Sequence, residues 1–261
     1  TPCGTLFPYT TLFRSWFHWT HLALGNTAGE TWEMRRHFDL ASKYAERMGD
    51  EARAYMLLRW SKYHELIARS LQGPPRLSNL QDAADRAQEL SDRYPDVKLV
   101  DVRLGSQADH TLRYRWDRKR TPARHMMQRE RIPNLIENHG RDVYARIDRR
   151  ARTELTAARS KDDRPSMLAV PRKYPHSEFV DDAYFAAAES SYREYERLKG
   201  DEADAALREA MGHLLSVDRI EGTPLGVSAR TALVVAHLEA GWVMPARVLC
   251  RRLEELPTET N

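Results

Sequence analysis

The sequence predicts an all-α fold, an α-solenoid in which antiparallel helical hairpins follow one another along the chain. Apolar residues recur at three- and four-residue spacing through most of the 261 residues. Glycines and prolines divide these stripes into segments of helix length. Three prolines, Pro95, Pro175 and Pro257, each close a helical segment at nearly equal intervals. Half of that interval approximates one helical hairpin with its connection, which is the unit of α-solenoid repeats.

Two apolar stripes predict the first hairpin. Thr27–Glu30 has the spacing of a capping box, which places the start of a helix directly after it. Gly49 is placed to end this helix in a left-handed conformation, and Asp50 to cap the next one. Helices joined by so short a turn pack antiparallel. The first stripe comprises Met34, Phe38, Ala41, Ala45 and Met48, and the second Met56, Trp60, Tyr63, Ile67 and Leu71.

A third helix is expected after a break in the pattern at Gly73-Pro74-Pro75. Ser78–Gln81 has the spacing of a second capping box, so the helix should begin there. It should run to about Arg93, because Tyr94-Pro95 stops it.

The periodicity changes from helical to alternating after Val97. Two runs of alternating apolar and charged residues flank the polar segment Gly105–His110. This pattern predicts a short β-hairpin insertion near residues 98–117, although an irregular linker would have much the same pattern. The apolar members are Val100, Val102 and Leu104 in the first run and Leu112, Tyr114 and Trp116 in the second.

Helical periodicity returns at about Gln128 and continues, with breaks, through the remaining chain. Pro171 lies inside the segment 166–173, where it predicts a kink or an early stop. Ser177 should cap a long helix, and Thr223-Pro224 should place proline at the first position of another. The helix starts expected here are Asp142, Ser166, Ser177, Gly200-Asp201 and Thr223-Pro224, with a last helix after Pro245.

The stretch Lys173–Tyr192 resembles the boundary between repeats of the tetratricopeptide type, in the divergent form found in bacterial envelope proteins. It contains a Tyr-Pro stop, a serine cap, an acidic pair and an alanine-rich helix that ends in tyrosine. The spacing of small residues from Gly241 to Pro257 is similar to that of the second helix of such a repeat. The resemblance covers about residues 169–257 and, more weakly, 27–95. It implies an α-solenoid that binds other proteins.

A narrower resemblance concerns residues 136–146. They are similar to helical regions that precede quinoprotein-like β-propellers in some large bacterial proteins, which implies that the chain is the helical region of a longer protein. Residues 5–15 match the translation of a common sequencing adapter, so we expect residues 1–15 to be an artefact and the natural N-terminus to be missing. The compartment therefore stays open between the bacterial envelope and the cytoplasm.

The remaining chain is expected to have four parts. Residues 16–96 form N-terminal helical repeats, and 97–127 form an irregular or β-hairpin basic insertion. Residues 128–257 form C-terminal tetratricopeptide-like repeats, and 258–261 form a tail.

The composition narrows the class of protein. A chain that is 41% hydrophobic and 30% charged suits a helical globular protein and argues against disorder. No run approaches the roughly 18 apolar residues that a membrane-spanning helix needs. Only Cys250 lies outside the adapter-derived segment, which excludes an internal disulfide and a cysteine-based zinc site in the remainder.

Few residues suggest catalysis or metal binding. His18 and His21 have the i, i+3 spacing of a ligand pair, yet no third ligand is evident, so we expect no metal. Asp181 and Asp182, with Glu178, suit the first turn of a helix, where the helix dipole favours negative charge, better than acid–base catalysis. No phosphate-binding loop, nucleophile elbow or metalloprotease motif is present, so we expect no cofactor and no catalytic residues.

The segment 113–131 carries the one strong charge asymmetry. Its basic residues are interleaved with Tyr114 and Trp116, a composition also found on surfaces that bind single-stranded nucleic acid. A solvated face or a contact for an acidic protein is preferred here, since no nucleic-acid-binding motif accompanies the segment. The partner-binding residues proposed on this basis are Arg113, Arg115, Trp116, Arg118, Lys119 and Arg120.

The expected function is therefore a non-enzymatic protein–protein interaction or scaffolding module that binds another protein or a peptide. Two alternatives stay open: an accessory helical region of a quinoprotein-like β-propeller protein, and nucleic-acid binding through the segment 113–131. The aromatic stripe Tyr184, Phe185, Tyr192 and Tyr195 is expected to pack between helices, in preference to forming a ligand box.

Overall fold

The structure is a computed structural model that describes residues 17–22, 24–25, 28–100 and 120–254. Within these residues, helices dominate and the β structure is a single pair of antiparallel strands. The predicted all-α fold with a small β insertion is therefore confirmed. The chain divides into two compact units, Thr1–Ile147 and Asp148–Asn261.

The first unit begins with the helical residues 17–22 and 24–25 and continues through five helices and a short sheet. The elements are α1 (Thr31–Ala45), α2 (Asp50–Ala68), α3 (Gly73–Arg93), β1 (Lys98–Leu99), β2 (Thr121–Pro122), α4 (Ala123–Met126), a π-helical turn (Met127–Arg131), α5 (Ile132–His139), a 3-10 turn (Arg141–Tyr144) and the start of α6 (Ala145–Ser160).

The first hairpin forms as its apolar spacing predicts. Met34, Phe38, Ala41 and Ala45 of α1 are all buried. Gly49, directly before α2, has a φ of 100°, a conformation that is unfavourable for residues with a side chain. This conformation lets the chain reverse its direction within a few residues. Because α1 and α2 pack closely and are joined by this short turn, they run antiparallel.

The start of α3 is a correction to the sequence analysis. The helix begins at Gly73, before the predicted start at Ser78, and Pro74 and Pro75 occupy its first positions. Proline is tolerated there because the first amides of a helix have no intrahelical acceptor and the fixed φ of proline is already helical. The two prolines therefore begin the helix that they were expected to precede.

The β pair joins Lys98–Leu99 to Thr121–Pro122, with Leu99 opposite Thr121. The amide of Ala123 extends the pairing by donating to Val97 O at 2.8 Å. The second strand that the sequence predicts, around 112–116, lies outside the described residues.

The second unit contains the rest of α6 and five further helices. These are α7 (Arg164–Lys173), α8 (Val180–Tyr195), α9 (Asp201–Asp218), α10 (Gly226–Glu239) and α11 (Val243–Glu254). From α7 onward, each helix packs closely against the next one in sequence. Such nearest-neighbour packing is compatible with a helical repeat. The core between α9 and α10 consists of Leu207, Met211, Leu214, Val217, Ala229, Leu233 and Ala236.

Several helix boundaries of this unit differ from prediction. The helix α7 begins at Arg164, ahead of Ser166, and α11 begins at Val243, so that Pro245 lies inside its first turn. The helix α8 begins at Val180. Ahead of it, Ser177 closes a turn, because its hydroxyl accepts a hydrogen bond from the amide of Phe179. In the same way, the hydroxyl of Thr223 accepts a hydrogen bond from the amide of Leu225, and α10 begins only at Gly226. Pro171 does not stop α7, which runs on to Lys173 with the proline ring buried.

Candidate functional site

A groove of about 410 Å³ opens among three helices of the second unit. Each helix contributes one alanine to its lining: Ala188 from α8, Ala210 from α9 and Ala232 from α10. A methyl side chain on each helix leaves space that larger side chains would fill. The volume lies within the range of about 300–1,000 Å³ typical of ligand pockets.

Larger apolar side chains form the walls of this groove. Phe185 and Tyr192 of α8 face Leu214 of α9 and Val235 of α10 across the lining. Val235 is 45% exposed, so one wall presents apolar surface directly to solvent. The groove therefore suits an apolar guest.

Two carboxylates and one arginine lie at the rim of the groove. Glu189 belongs to the lining, and Glu239 accepts hydrogen bonds from Tyr192 at 3.3 Å and from Tyr195 at 2.7 Å. Neither glutamate has a cationic partner within the part of the chain that the structure describes. Arg193, the one basic lining residue, already donates to Asp162 at 2.7 Å. Among the described residues, the rim therefore presents two carboxylates without a cationic partner beside one arginine in an exposed ion pair.

The tyrosines beside the rim are held as hydrogen-bond donors. Burial raises the pKa of Tyr192, and the charge of Glu239 raises it further. The hydrogen bond to Glu239 is the main cause that raises the pKa of Tyr195. Both hydroxyls thus stay protonated at neutral pH, and both orient the Glu239 carboxylate at the edge of the groove.

The predicted aromatic stripe packs between helices as expected. All four of its members are partly buried against the core of the second unit. Phe185 and Tyr192 also line the groove, which the sequence analysis did not predict. The periodicity of a single helix shows which of its faces is apolar. It does not predict the groove, because the groove also depends on alanines of two other helices.

The predicted basic patch lies mostly beyond the described residues. Arg113, Arg115, Trp116, Arg118 and Lys119 all fall in the range 101–119 that the structure leaves out. Arg120 is half-buried, with its guanidinium 3.9 Å from the carboxylate of Glu51. Partner binding by these six residues stays a prediction.

Arg131, at the end of the basic segment 113–131, is committed to an internal ion pair. From the π-helical turn its guanidinium donates to the carboxylate of Glu65, to Ser61 Oγ at 3.2 Å and to Ser61 O at 3.1 Å. Its side chain is only 14% exposed. This arginine is therefore not part of a basic surface that could contact nucleic acid.

The two N-terminal histidines have separate contacts. His18 is buried, with Nδ1 2.9 Å from Ala41 O. His21 Nδ1 lies 3.1 Å from His37 Nδ1, and burial, followed by the charge of His37, lowers the pKa of His21. Within the described ranges, no three His, Cys, Asp or Glu side chains come together in a way that could hold a metal ion.

The acidic pair lies in the first turn of α8, as the sequence predicts. Asp181 is buried and accepts a hydrogen bond from the hydroxyl of Thr223, which precedes α10. Burial, with the charge of Asp181, raises the pKa of Asp182. Glu178 is exposed, and its amide donates to Asp148 at 3.2 Å. The carboxylate of Asp181 thus ties the start of α8 to the turn ahead of α10.

Comparison of the chain with protein-family models, with curated proteins and with solved structures found no match. The helical packing is compatible with a helical repeat, and assignment to the tetratricopeptide type is a proposal. Among the helices of the described residues, none has the length and apolar character needed to cross a membrane.

Proposed function

We propose that this protein is a non-enzymatic interaction module of the tetratricopeptide-like kind, and that it binds a partner helix in the groove among α8, α9 and α10. The observation that carries the proposal is the groove itself. Three alanines on three neighbouring helices leave a volume of about 410 Å³ that is lined by apolar side chains and open to solvent.

The shape and lining of the groove favour the apolar face of an amphipathic helix. Such a helix presents side chains at i, i+3 and i+4 along one stripe, and it binds by inserting that stripe into an apolar groove. Phe185, Leu214 and Val235 supply apolar contacts for the inserted side chains. An extended polar peptide would leave its own backbone groups unpaired against these walls.

The carboxylates at the rim favour a bound helix that has basic residues beside its apolar stripe. Within the described residues Glu189 and Glu239 have no cationic partner, whereas Arg193 is in an exposed ion pair with Asp162. Lysine or arginine beside the apolar stripe of the partner would complement these carboxylates. The proposed partner is therefore an amphipathic helix with basic flanks.

Further apolar surface on the same unit supports a binding role. The large apolar side chains exposed on α10, on α11 and between them include Val227, Leu238, Trp242, Val243, Met244 and Val248. The concentration of exposed apolar side chains in this part of the chain favours a protein-binding role.

Two synthetic peptides test the proposal. Both form amphipathic helices with a leucine stripe; one has lysine flanks and the other has glutamate flanks. Isothermal titration should show binding of the lysine peptide and at least tenfold weaker binding of the glutamate peptide. Ala232→Trp, which fills the groove at a half-buried position, should weaken binding of the lysine peptide by at least tenfold, about 1.4 kcal/mol.

Ala205→Trp is the matched control, because Ala205 is exposed on α9 and lies outside the groove lining. Circular dichroism melting verifies that both variants fold. If Ala232→Trp is unfolded, Glu189→Lys replaces it and should shift the preference toward the glutamate peptide. Equal binding of both peptides, or equal loss in Ala205→Trp and Ala232→Trp, contradicts the proposal.

A further inference from the structure

A second cleft, of about 430 Å³, lies among α1, α2 and α3 of the first unit. Its lining is aromatic and charged, in contrast to the apolar groove among α8, α9 and α10. The residues that define its chemistry are Arg35, Asp39, Trp60, Tyr63, His64 and Arg86.

Trp60 presents a fixed, half-buried aromatic surface to this cleft. Its indole Nε1 donates to Ser42 Oγ at 3.1 Å, and Ser42 in turn donates to Phe38 O at 2.8 Å. The rings of Phe38 and Tyr63 meet the indole edge-on, with centroids 5.8 and 5.3 Å away. A guest ring stacking on Trp60 would therefore lose little free energy to ordering the protein side chain.

Tyr63 brings a hydroxyl without a protein partner among the described residues to the same cleft. The residue is only 4% exposed, and its hydroxyl has no hydrogen-bond partner in the described part of the chain. Burial raises the pKa of Tyr63; Arg35 opposes the rise and Asp39 adds to it, so both charges lie within reach of the phenol. This hydroxyl is not among the buried polar atoms that lack a partner, so it is accessible from the cleft, and a ligand atom there can replace water as its hydrogen-bond partner.

His64 contributes an acceptor of defined position. Asn79 Nδ2 donates to Pro75 O at 3.0 Å, which leaves Asn79 Oδ1 as the acceptor 3.1 Å from His64 Nδ1. In the neutral imidazole the proton is therefore on Nδ1, and Nε2 keeps its lone pair. The cleft thus combines a phenol donor with an imidazole acceptor beside the indole.

Two arginines and one carboxylate line the cleft, and both arginines are in surface ion pairs for which a ligand anion can compete. Arg35 and Arg86 are both exposed members of the lining, and Asp39 is the single acidic one. Arg35 and Asp39 lie 4.0 Å apart in an exposed pair, a separation that leaves the guanidinium able to bind another anion. Arg86 contacts Glu89 at 3.0 Å through Nη1 alone.

We propose that this cleft binds a planar aromatic ring that carries one anionic group. The ring lies against Trp60 and His64, the anionic group meets Arg35 and Arg86, and a polar ring substituent hydrogen-bonds to the Tyr63 hydroxyl. An aromatic carboxylate and a nucleoside monophosphate share this chemistry, and the experiment separates them.

Isothermal titration of the full chain with indole-3-acetate, 4-hydroxybenzoate and AMP tests the proposal. At least one of these probes should bind, while cyclohexanecarboxylate, which has the charge without the aromatic ring, should bind at least tenfold more weakly. Binding of the two carboxylates alone assigns the anionic group as a carboxylate, and binding of AMP alone assigns it as a phosphate; either outcome supports the cleft as an aromatic-anion site.

Two variants tie the binding to the cleft. Arg86→Gln should weaken binding at least fivefold, whereas Arg93→Gln should leave it unchanged, because Arg93 also contacts Glu89 from α3 but lies outside the lining. Tyr63→Phe should lower affinity without lowering the melting temperature, since the hydroxyl that it removes has no partner in the described residues. Absence of binding by all three aromatic probes, or equal losses in Arg86→Gln and Arg93→Gln, overturns the proposal.

Discussion

Arg131 and Glu65 form a shielded ion pair in the first unit, with side chains only 14% and 16% exposed. Burial alone would raise the pKa of Glu65. The charge and hydrogen bond of Arg131, the hydrogen bond from His139 and the charge of Arg69 together hold the pKa below its ordinary value. The carboxylate is therefore ionised in the folded protein, and Arg131, His139 and Arg69 together stabilise its negative charge.

Glu65→Gln should destabilise the protein at neutral pH by about 3 kcal/mol, because it leaves the buried guanidinium of Arg131 without its counter-charge. The native pKa is depressed, so the stabilising contribution is present above the ordinary carboxyl pKa and is lost as the pH falls through the native value. Urea unfolding of wild type and variant at neutral and at acid pH should show the difference shrinking in acid.

Arg193→Gln is the control for this prediction. Its ion pair with Asp162 is exposed, with side chains 45% and 47% accessible, and removing it should cost less than about 1 kcal/mol. A Glu65→Gln variant that is no less stable than Arg193→Gln would show that the Arg131 pair contributes little to folding.

The role of Arg131 could not be read from the sequence. Among eight basic residues of the segment 113–131 it has the same charge as its neighbours, and its partner Glu65 is 66 positions away. The sequence shows that basic residues are concentrated in this segment. Only the tertiary structure shows which of them packs inside the protein. Tyr63 is a similar case, because its place in an apolar stripe predicts a core residue and does not show that it lines a cleft.

Among the helices, the apolar spacing was the most reliable guide. Met34, Phe38, Ala41 and Ala45 of the α1 stripe are buried as predicted. Helix starts were less predictable, because Ser and Thr side chains can close a turn ahead of a helix as readily as they cap it. This competition explains why α8 and α10 each begin a few residues after Ser177 and Thr223.

Gly200, which precedes α9, and Gly212, inside it, should respond in opposite ways to replacement by alanine. Gly200 precedes α9 with a φ of 63°, which disfavours a side chain, so Gly200→Ala should destabilise by about 1 kcal/mol. Gly212 lies inside the helix with open space where a Cβ would be, so Gly212→Ala should stabilise by about 0.5–1 kcal/mol.

Thermal unfolding followed by circular dichroism measures both effects. The two changes add the same methyl group, and neither new Cβ meets a neighbouring atom, so each acts as the other's control. Equal shifts in melting temperature for the two variants would mean that backbone conformation does not decide the outcome at these positions.

For the molecule as a whole, the sequence was sufficient for the fold class and for the packing of successive helices. It was insufficient for the groove, which exists only because Ala188, Ala210 and Ala232 of three helices line one space. In sequence these alanines are indistinguishable from the other alanines of the second unit. The groove follows from how the helices are combined, and no single segment encodes it.

Amide chemical-shift mapping of the full chain with the lysine-flanked leucine peptide tests the central claim most directly. If the groove binds a basic amphipathic helix, the largest shifts should come from the lining residues of α8, α9 and α10, and Ala232→Trp should abolish them while Ala205→Trp leaves them in place. Shifts that are absent at saturating peptide, or that cluster away from Phe185, Leu214 and Val235, would contradict the claim.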